Sequence, residues 1–292
     1  MAFWVLWAAL WVDAKSSNFP LAVALVPLAL RLGWWAETQA ARNVAILGAA
    51  LIGISAIWNM ETRPAYLQNA TTYDALFQAI LPESKSPSAD LISLGLDPQL
   101  ERFSGTGAWS EGTAFSDTVR SGIIGGRITS ATIARFYLVH PARIWKRAKT
   151  MLPVAFSLRP EFCGNFDRSA GRPPDARSNE FSLWSGFHQR FLARFGKWIL
   201  ILLLLAPIGS VAIWIRFPGQ RLCIEFCAAL YACCLISFLV PLLGDAWDNV
   251  KHFFLFNLLL DSILAAALAS ACRLGRGQLR WVGAARATKE LT

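Results

Sequence analysis

The stretch GDAWDNVKHFFLFN, residues 244–257, carries the densest group of ionisable side chains beside an apolar run. A helical path through it would set Asp248 and His252 one turn apart, with Lys251 adjacent and Asp245 just upstream. Carboxylates next to an imidazole and an ammonium group can move a proton or bind sugar hydroxyls, which makes Asp245 and Asp248 the candidate catalytic groups. A plainer reading stands beside it: a short loop between apolar helices needs polar residues, and Asp and Lys anchor a helix end. Asn257 and Asp261 follow four residues apart on one face, with Asp261 near the middle of the apolar run. An ionisable residue there is expected to face the bundle interior or a wet cavity, and interhelical pairing alone would also retain it.

A second candidate lies in residues 140–152, HPARIWKRAKTML. The residue before a proline is pushed out of the helical region, so His140 ends one helix, and Pro141 suits the first turn of the next. Over 142–152 the spacing gathers Ile144, Trp145, Ala148, Met151 and Leu152 on one face and Arg143, Lys146, Arg147 and Lys149 on the rest. A basic amphipathic helix of this kind commonly lies in the headgroup plane with its apolar face inward. Its cations, with His140, Lys251 and His252, are candidates for holding a lipid phosphate, Arg offering the fork that matches phosphate oxygens. Seating on anionic lipid without a specific site is the alternative.

Other chemistries are poorly represented. The chain has three His, no two of them at the short spacing of a zinc helix, and its six Cys include no CxxC pair, so neither a metal site nor a cofactor is expected. The net charge of +9 falls on the loops flanking apolar runs and on the middle segment, a pattern for lipid surfaces and not for nucleic acid.

Positioning these residues falls to apolar helices. Of the 292 residues, 55% are hydrophobic and 16% charged, with 13 Trp, far from the roughly 25% charge of a soluble domain. A helix crossing the hydrocarbon core needs about 20 mainly apolar residues. Residues 41–59, 195–215, 222–243 and 252–272 meet that length, and 19–36 approaches it. Residues 1–12, MAFWVLWAALWV, are apolar but short, which leaves an interfacial or re-entrant segment, or the remainder of a longer polytopic chain. The expected architecture is a mainly α, polytopic bundle: N-terminal membrane helices over 1–59, a mostly helical extracytoplasmic domain over 60–194, three C-terminal membrane helices over 195–272 and a tail over 273–292. Arg273, Arg276, Arg280, Arg286 and Lys289 make that tail cytoplasmic by the positive-inside bias.

Three stretches taken together carry a resemblance: residues 73–98 (YDALFQAILPESKSPSADLISLGLDP), 140–145 (HPARIW) and 244–257. They resemble the C-terminal half of bacterial polytopic hexose transferases of glycan biosynthesis, in the broad GT-C class that uses polyprenyl-phosphate sugars. The resemblance implies a plasma-membrane protein that transfers a hexosyl group at the outer surface, its partners being membrane lipid, a polyprenyl-phosphate sugar and other membrane subunits. Such enzymes carry a catalytic Asp or Glu in the first outer loop, and Asp13 is the acidic residue nearest that place here. A non-catalytic scaffold or a translocation partner for lipid-linked glycans is the alternative.

Overall fold

A computed structural model describes residues 2–160, 163–174, 176–180, 182–244 and 249–268. Among them the chain is helical, and pairing of extended backbone is limited to two isolated bridges, Ile124 with Ile128 and Asn165 with Arg177. The expected mainly α membrane-helix architecture is what the structure shows.

The N-terminal helices are α1 (Ala2–Asp13), α2 (Ala22–Trp34), which a 3-10 turn at Ser16–Leu21 introduces, and α3 (Gln39–Glu61). Thr38 caps α3, its hydroxyl accepting from the Ala41 amide at 3.2 Å. Small residues let the three helices approach closely. Ala45, Gly48, Ala49 and Ile52 form the buried stripe of α3, and a Cβ on Gly48 would overlap the Val5 side chain. Asn59 closes the end of this group by donating to the Val12 carbonyl at 3.0 Å and to Asp13 at 3.2 Å.

A helical cap follows: α4 (Ala65–Asp74), which continues as a π segment over Ala75–Ile80, α5 (Pro87–Ser93), α6 (Phe115–Arg120), α7 (Ser130–Val139) and α8 (Pro141–Ala155). The boundaries follow from local chemistry. Pro87 and Pro141 occupy first turns, where no amide hydrogen is needed, and Thr129 with Thr132 makes a reciprocal capping box at the start of α7. The cap core is built on Tyr73, Leu76, Phe77, Leu81, Leu91, Ile124 and Ile128.

The chain then returns to long apolar helices. A short α9 (Leu183–Phe187) runs through a π segment at His188–Leu192 into α10 (Ala193–Arg216); α11 (Arg221–Gly244), the one-turn α12 (Asn249–His252) and α13 (Phe254–Leu268) complete the described chain. Three helical stretches, Gln39–Glu61, Leu183–Arg216 and Pro218–Gly244, are long and apolar enough to cross a membrane, with Phe3–Asp13, Asn18–Trp34 and Phe254–Leu268 as shorter apolar helices. Their core gathers Ala49, Ile52, Leu200, Leu203, Cys234, Phe238, Phe253 and Phe256, together with Ala148, Met151, Leu152 and Ala155 from α8.

That last contribution corrects the expected orientation of the basic helix. Trp145 is 40% exposed, with Lys149 over its ring at 5.3 Å, whereas Arg147 is 5% exposed. The buried wedge is the set Ala148, Met151, Leu152 and Ala155, spaced for one helical stripe, and it turns Trp145 outward while carrying Arg147 in.

Candidate functional site

A large opening lies where the cap meets the ends of α3 and α11, a cavity of about 740 Å³. Its floor is apolar, from Phe19, Pro20, Leu239, Val240, Pro241 and Leu243. Lys15, Arg63, Lys251 and His252 bring basic groups to its walls, and Gln68, Thr71, Asp74 and Trp109 line the cap side. Lys15 Nζ lies 2.8 Å from His252 Nδ1. An ammonium group only donates, so His252 accepts at Nδ1 and carries its hydrogen on Nε2. Arg63 donates to the Thr71 hydroxyl at 3.1 Å, and Asp74 accepts from the Ala108 amide at 2.6 Å. A pocket of this volume, apolar on one side and convergently polar on the other, suits an amphiphile with an anionic head.

The basic residues of α8 have another occupation. Arg143 reaches Asp90 at 2.6 Å, the Glu83 carbonyl at 3.2 Å and Ser84 at 3.2 Å. Lys146 donates to the same Glu83 carbonyl at 2.6 Å, and Arg147 pairs with the Glu83 carboxylate at 2.8 Å while donating Nε to the Leu242 carbonyl at 3.3 Å. His140 sits with Nδ1 2.9 Å from the Phe136 carbonyl and its ring against Phe136. These groups tie the turn at Glu83 to α8 and α8 to the end of α11. None of His140, Arg143, Lys146 and Arg147 lines the large cavity, whereas Lys251 and His252 do. Burial pushes the neighbouring Tyr137 phenol up to about 12, with Arg147 and Arg143 opposing the shift and Glu83 adding to it.

A third polar cluster joins α8, α9 with the π segment after it, and α13. Asn257, fully buried, donates its amide to the Ala155 carbonyl at 2.7 Å and the Phe253 carbonyl at 3.0 Å, which leaves its oxygen facing His188 Nδ1 at 3.2 Å. His188 Nε2 lies 2.8 Å from one Asp261 oxygen, and the Trp184 indole donates to the other at 3.0 Å. Both ring nitrogens of His188 therefore face oxygens, which fixes the plane of the ring between the two side chains of α13. At the far end of the bundle Arg31 chelates Glu225 at 3.0 and 3.1 Å, and Trp214 donates to Glu225 at 3.0 Å.

A family model described as the YfdI N-terminal transmembrane domain matches residues 1–280. The chain belongs to this family. Comparison with curated proteins and with solved structures yields no match. As a member of the YfdI transmembrane-domain family, the chain is an integral membrane protein.

Set on this YfdI-family framework, the residues singled out in the sequence fall into three groups. Lys251 and His252 reach the cavity; Arg143, Lys146 and Arg147 brace the cap; Asn257 and Asp261 belong to the buried His188 cluster. Asp245 and Asp248 lie outside the described residues, although Gly244, directly before them, lines the cavity. Lys15, Arg63, Asp74, Trp109 and His188 carried no signal in the sequence reading. For three of them the partner is distant in sequence, 237 residues for Lys15 and His252, 73 for His188 and Asp261 and 34 for Asp74 and Ala108, so no local spacing could bring them together.

Proposed function

We propose that this protein is a component of cell-envelope glycan assembly in the bacterial plasma membrane, a GT-C-type hexosyl transferase or part of one, whose cavity holds the head of a polyprenyl-phosphate sugar. The observation that carries the reading is the composition of that cavity: cations of Lys15, Arg63 and Lys251 stand above an apolar floor. The isoprenoid tail would leave over the floor while the cations hold the phosphate, and Arg63 contributes a planar fork suited to its oxygens. In the transfer step a carboxylate takes the proton of an acceptor hydroxyl, whose oxygen bonds to the anomeric carbon as the bond to the lipid phosphate breaks. The departing phosphate keeps the electron pair, and the cations offset its charge. Asp245 and Asp248 are our candidates for that carboxylate, because chain connectivity keeps them within a few residues of the cavity wall at Gly244.

The same reading divides the chain into membrane helices over 1–59 and 195–272, an extracytoplasmic cap over 60–194 and a cytoplasmic tail over 273–292. The ends of α1, α3 and α11 that meet the cap lie on one side of the bundle, opposite the Arg31–Glu225 pair, which supports it. Reporter fusions at Pro173 and Thr292 test the topology, with extracytoplasmic activity expected only at Pro173. The function is tested by transfer of labelled hexose from a polyprenyl-phosphate donor in membranes. Lys251→Gln and Arg63→Gln should each lower transfer roughly 10- to 100-fold, the worth of one charged hydrogen bond, while the protein remains folded. Unchanged transfer in the double variant overturns the assignment. Donor binding without transfer, in the wild-type protein, selects a translocation partner instead.

A further inference from the structure

We infer that the break made by Pro241 in α11 binds one buried water molecule, held by Ser237 against His252 behind the floor of the large cavity, and that Ser237 is through it a positioning residue for His252. The water site stands on geometry alone; its consequence for donor binding rests on the lipid-phosphate reading of the cavity.

A second cavity, of about 20 Å³, adjoins the first. Val240, Pro241 and His252 line both, whereas Ile236, Ser237 and Leu255 line only the small one. Ser237 is 7% exposed, and its hydroxyl has no hydrogen-bond partner among the described residues. The usual course for a serine in an apolar helix is to turn back to the carbonyl one turn earlier. Ser210 does so to Ala206 at 2.8 Å, and Ser262 to Leu258 at 2.9 Å. Ser237 makes no such bond, and its side chain lines the small cavity instead. Its carbonyl also lacks the donor that the helix would supply, because that donor is the amide of residue 241 and proline has none. One residue of α11 thus brings a hydroxyl and a carbonyl, both short of partners, to the same small space.

Size and charge identify the ligand. A water site needs about 10–15 Å³ of such space, so this one has room for a single water and for nothing larger. A cation would sit against His252, whose Nδ1 already has the Lys15 ammonium at 2.8 Å. An anion would face the Ser237 carbonyl, and an apolar occupant would leave both Ser237 groups unbonded. Water donates to the carbonyl and exchanges a hydrogen bond with the hydroxyl, the way in which ordered waters restore the ladder where a proline interrupts a membrane helix. Asn18 adds a polar edge to the cavity while its amide donates to the Trp11 carbonyl at 2.9 Å. His252 stands between the two cavities, with Nδ1 toward Lys15 of the large one. A water held in the small one packs against the same ring, limits its rotation and so keeps Nδ1 facing the ammonium at the phosphate wall.

The test uses the full chain in liposomes, its isoleucine δ-methyl groups carbon-13 labelled, the Ile236 signal being the one lost in Ile236→Val. Magnetisation transferred from water should reach Ile236, which lines the small cavity only. Ser237→Ala should weaken that transfer. Adding Pro241→Ala, which returns an amide hydrogen to the helix, should abolish it. Absence of transfer to Ile236 in the wild-type protein overturns the water site, and so does undiminished transfer in the double variant. Positioning is read from the ring nitrogen-15 signals of His252 and from binding of farnesyl phosphate, which a merely structural serine would not move. Ser237→Ala should shift the His252 signals and weaken binding roughly three- to tenfold, the worth of one hydrogen bond. Unshifted His252 signals with unchanged affinity overturn the positioning role. Wild-type protein that shows the water transfer but binds no farnesyl phosphate upholds the water site and defeats the lipid-phosphate reading instead.

Discussion

Replacing Asn257 with Leu removes one side chain of nearly equal volume and three hydrogen bonds, and it tests what the His188 cluster contributes. Asn257 and His188 are both at 0% exposure, so water cannot substitute for a lost partner. Forming an interhelical hydrogen bond in a membrane protein contributes only about 0.6 kcal/mol on average, because the separated helices find other partners. Orphaning a buried group costs more, about 1–3 kcal/mol each. The substitution leaves two such groups, the Ala155 carbonyl at the end of α8 and the Nδ1 hydrogen of His188, while the Phe253 carbonyl keeps the Asn257 backbone amide at 3.0 Å. The added apolar contact of Leu offsets roughly 1 kcal/mol, so the expected net loss is about 1–5 kcal/mol. For a chain of this size that lowers Tm by roughly 2–20 °C. Thermal unfolding in micelles measures it, with Asn43→Leu, an exposed site whose side chain accepts a hydrogen bond from Gln39, as the reference. Equal Tm values for the two variants would refute the argument that orphaned groups, and not bond formation, dominate.

Three further outcomes follow from the geometry. Gly48→Leu should separate α1 from α3 by forcing the new side chain into Val5, and a cysteine cross-link engineered between those helices should lose efficiency; unchanged cross-linking would show that the contact is not tight. The Tyr137 phenol, raised to about 12 mainly by burial, contributes stability that is complete below the unfolded value of about 10 and lost as pH rises through about 12. A late phenolate absorbance step that disappears in Tyr137→Phe is expected, and its persistence would assign the step elsewhere. Asp117→Ala breaks a pair in which both side chains are more than four-fifths exposed and should leave Tm unchanged within the error of the scan.

The long helices were legible because hydrophobic runs need no partner to be recognised: the expected spans at 41–59, 195–215 and 222–243 correspond to Gln39–Glu61, Leu183–Arg216 and Pro218–Gly244. Cap helices were legible where a local signal marks the boundary, as at Pro141. The candidate site was only partly legible. Composition shows that α8 is basic, but not that Glu83 and Asp90, about 60 residues upstream, take up its cations. Helical periodicity gave an apolar face containing Trp145, and a rotation of the helix by less than one residue step exchanges Trp145 for Arg147 once a carboxylate and a carbonyl are waiting for the guanidinium.

The two hydrophobic cores meet through Ile144 and Leu243, which pack against both. This has a bearing on the order in which the protein is made. The cap core is assembled from residues 70–137, one uninterrupted stretch, so it can form before the helices that follow it are made. The bundle core draws on α1 to α3 and on α8 to α13, and cannot close until the last helices have been synthesised. The cap therefore waits, already folded, with α8 as an exposed wedge whose wet face is neutralised by Glu83 and Asp90 and whose apolar stripe is vacant. Docking of α10, α11 and α13 onto that stripe is then a late, cooperative step between preformed units, and the Arg147 bond to Leu242 forms only with it.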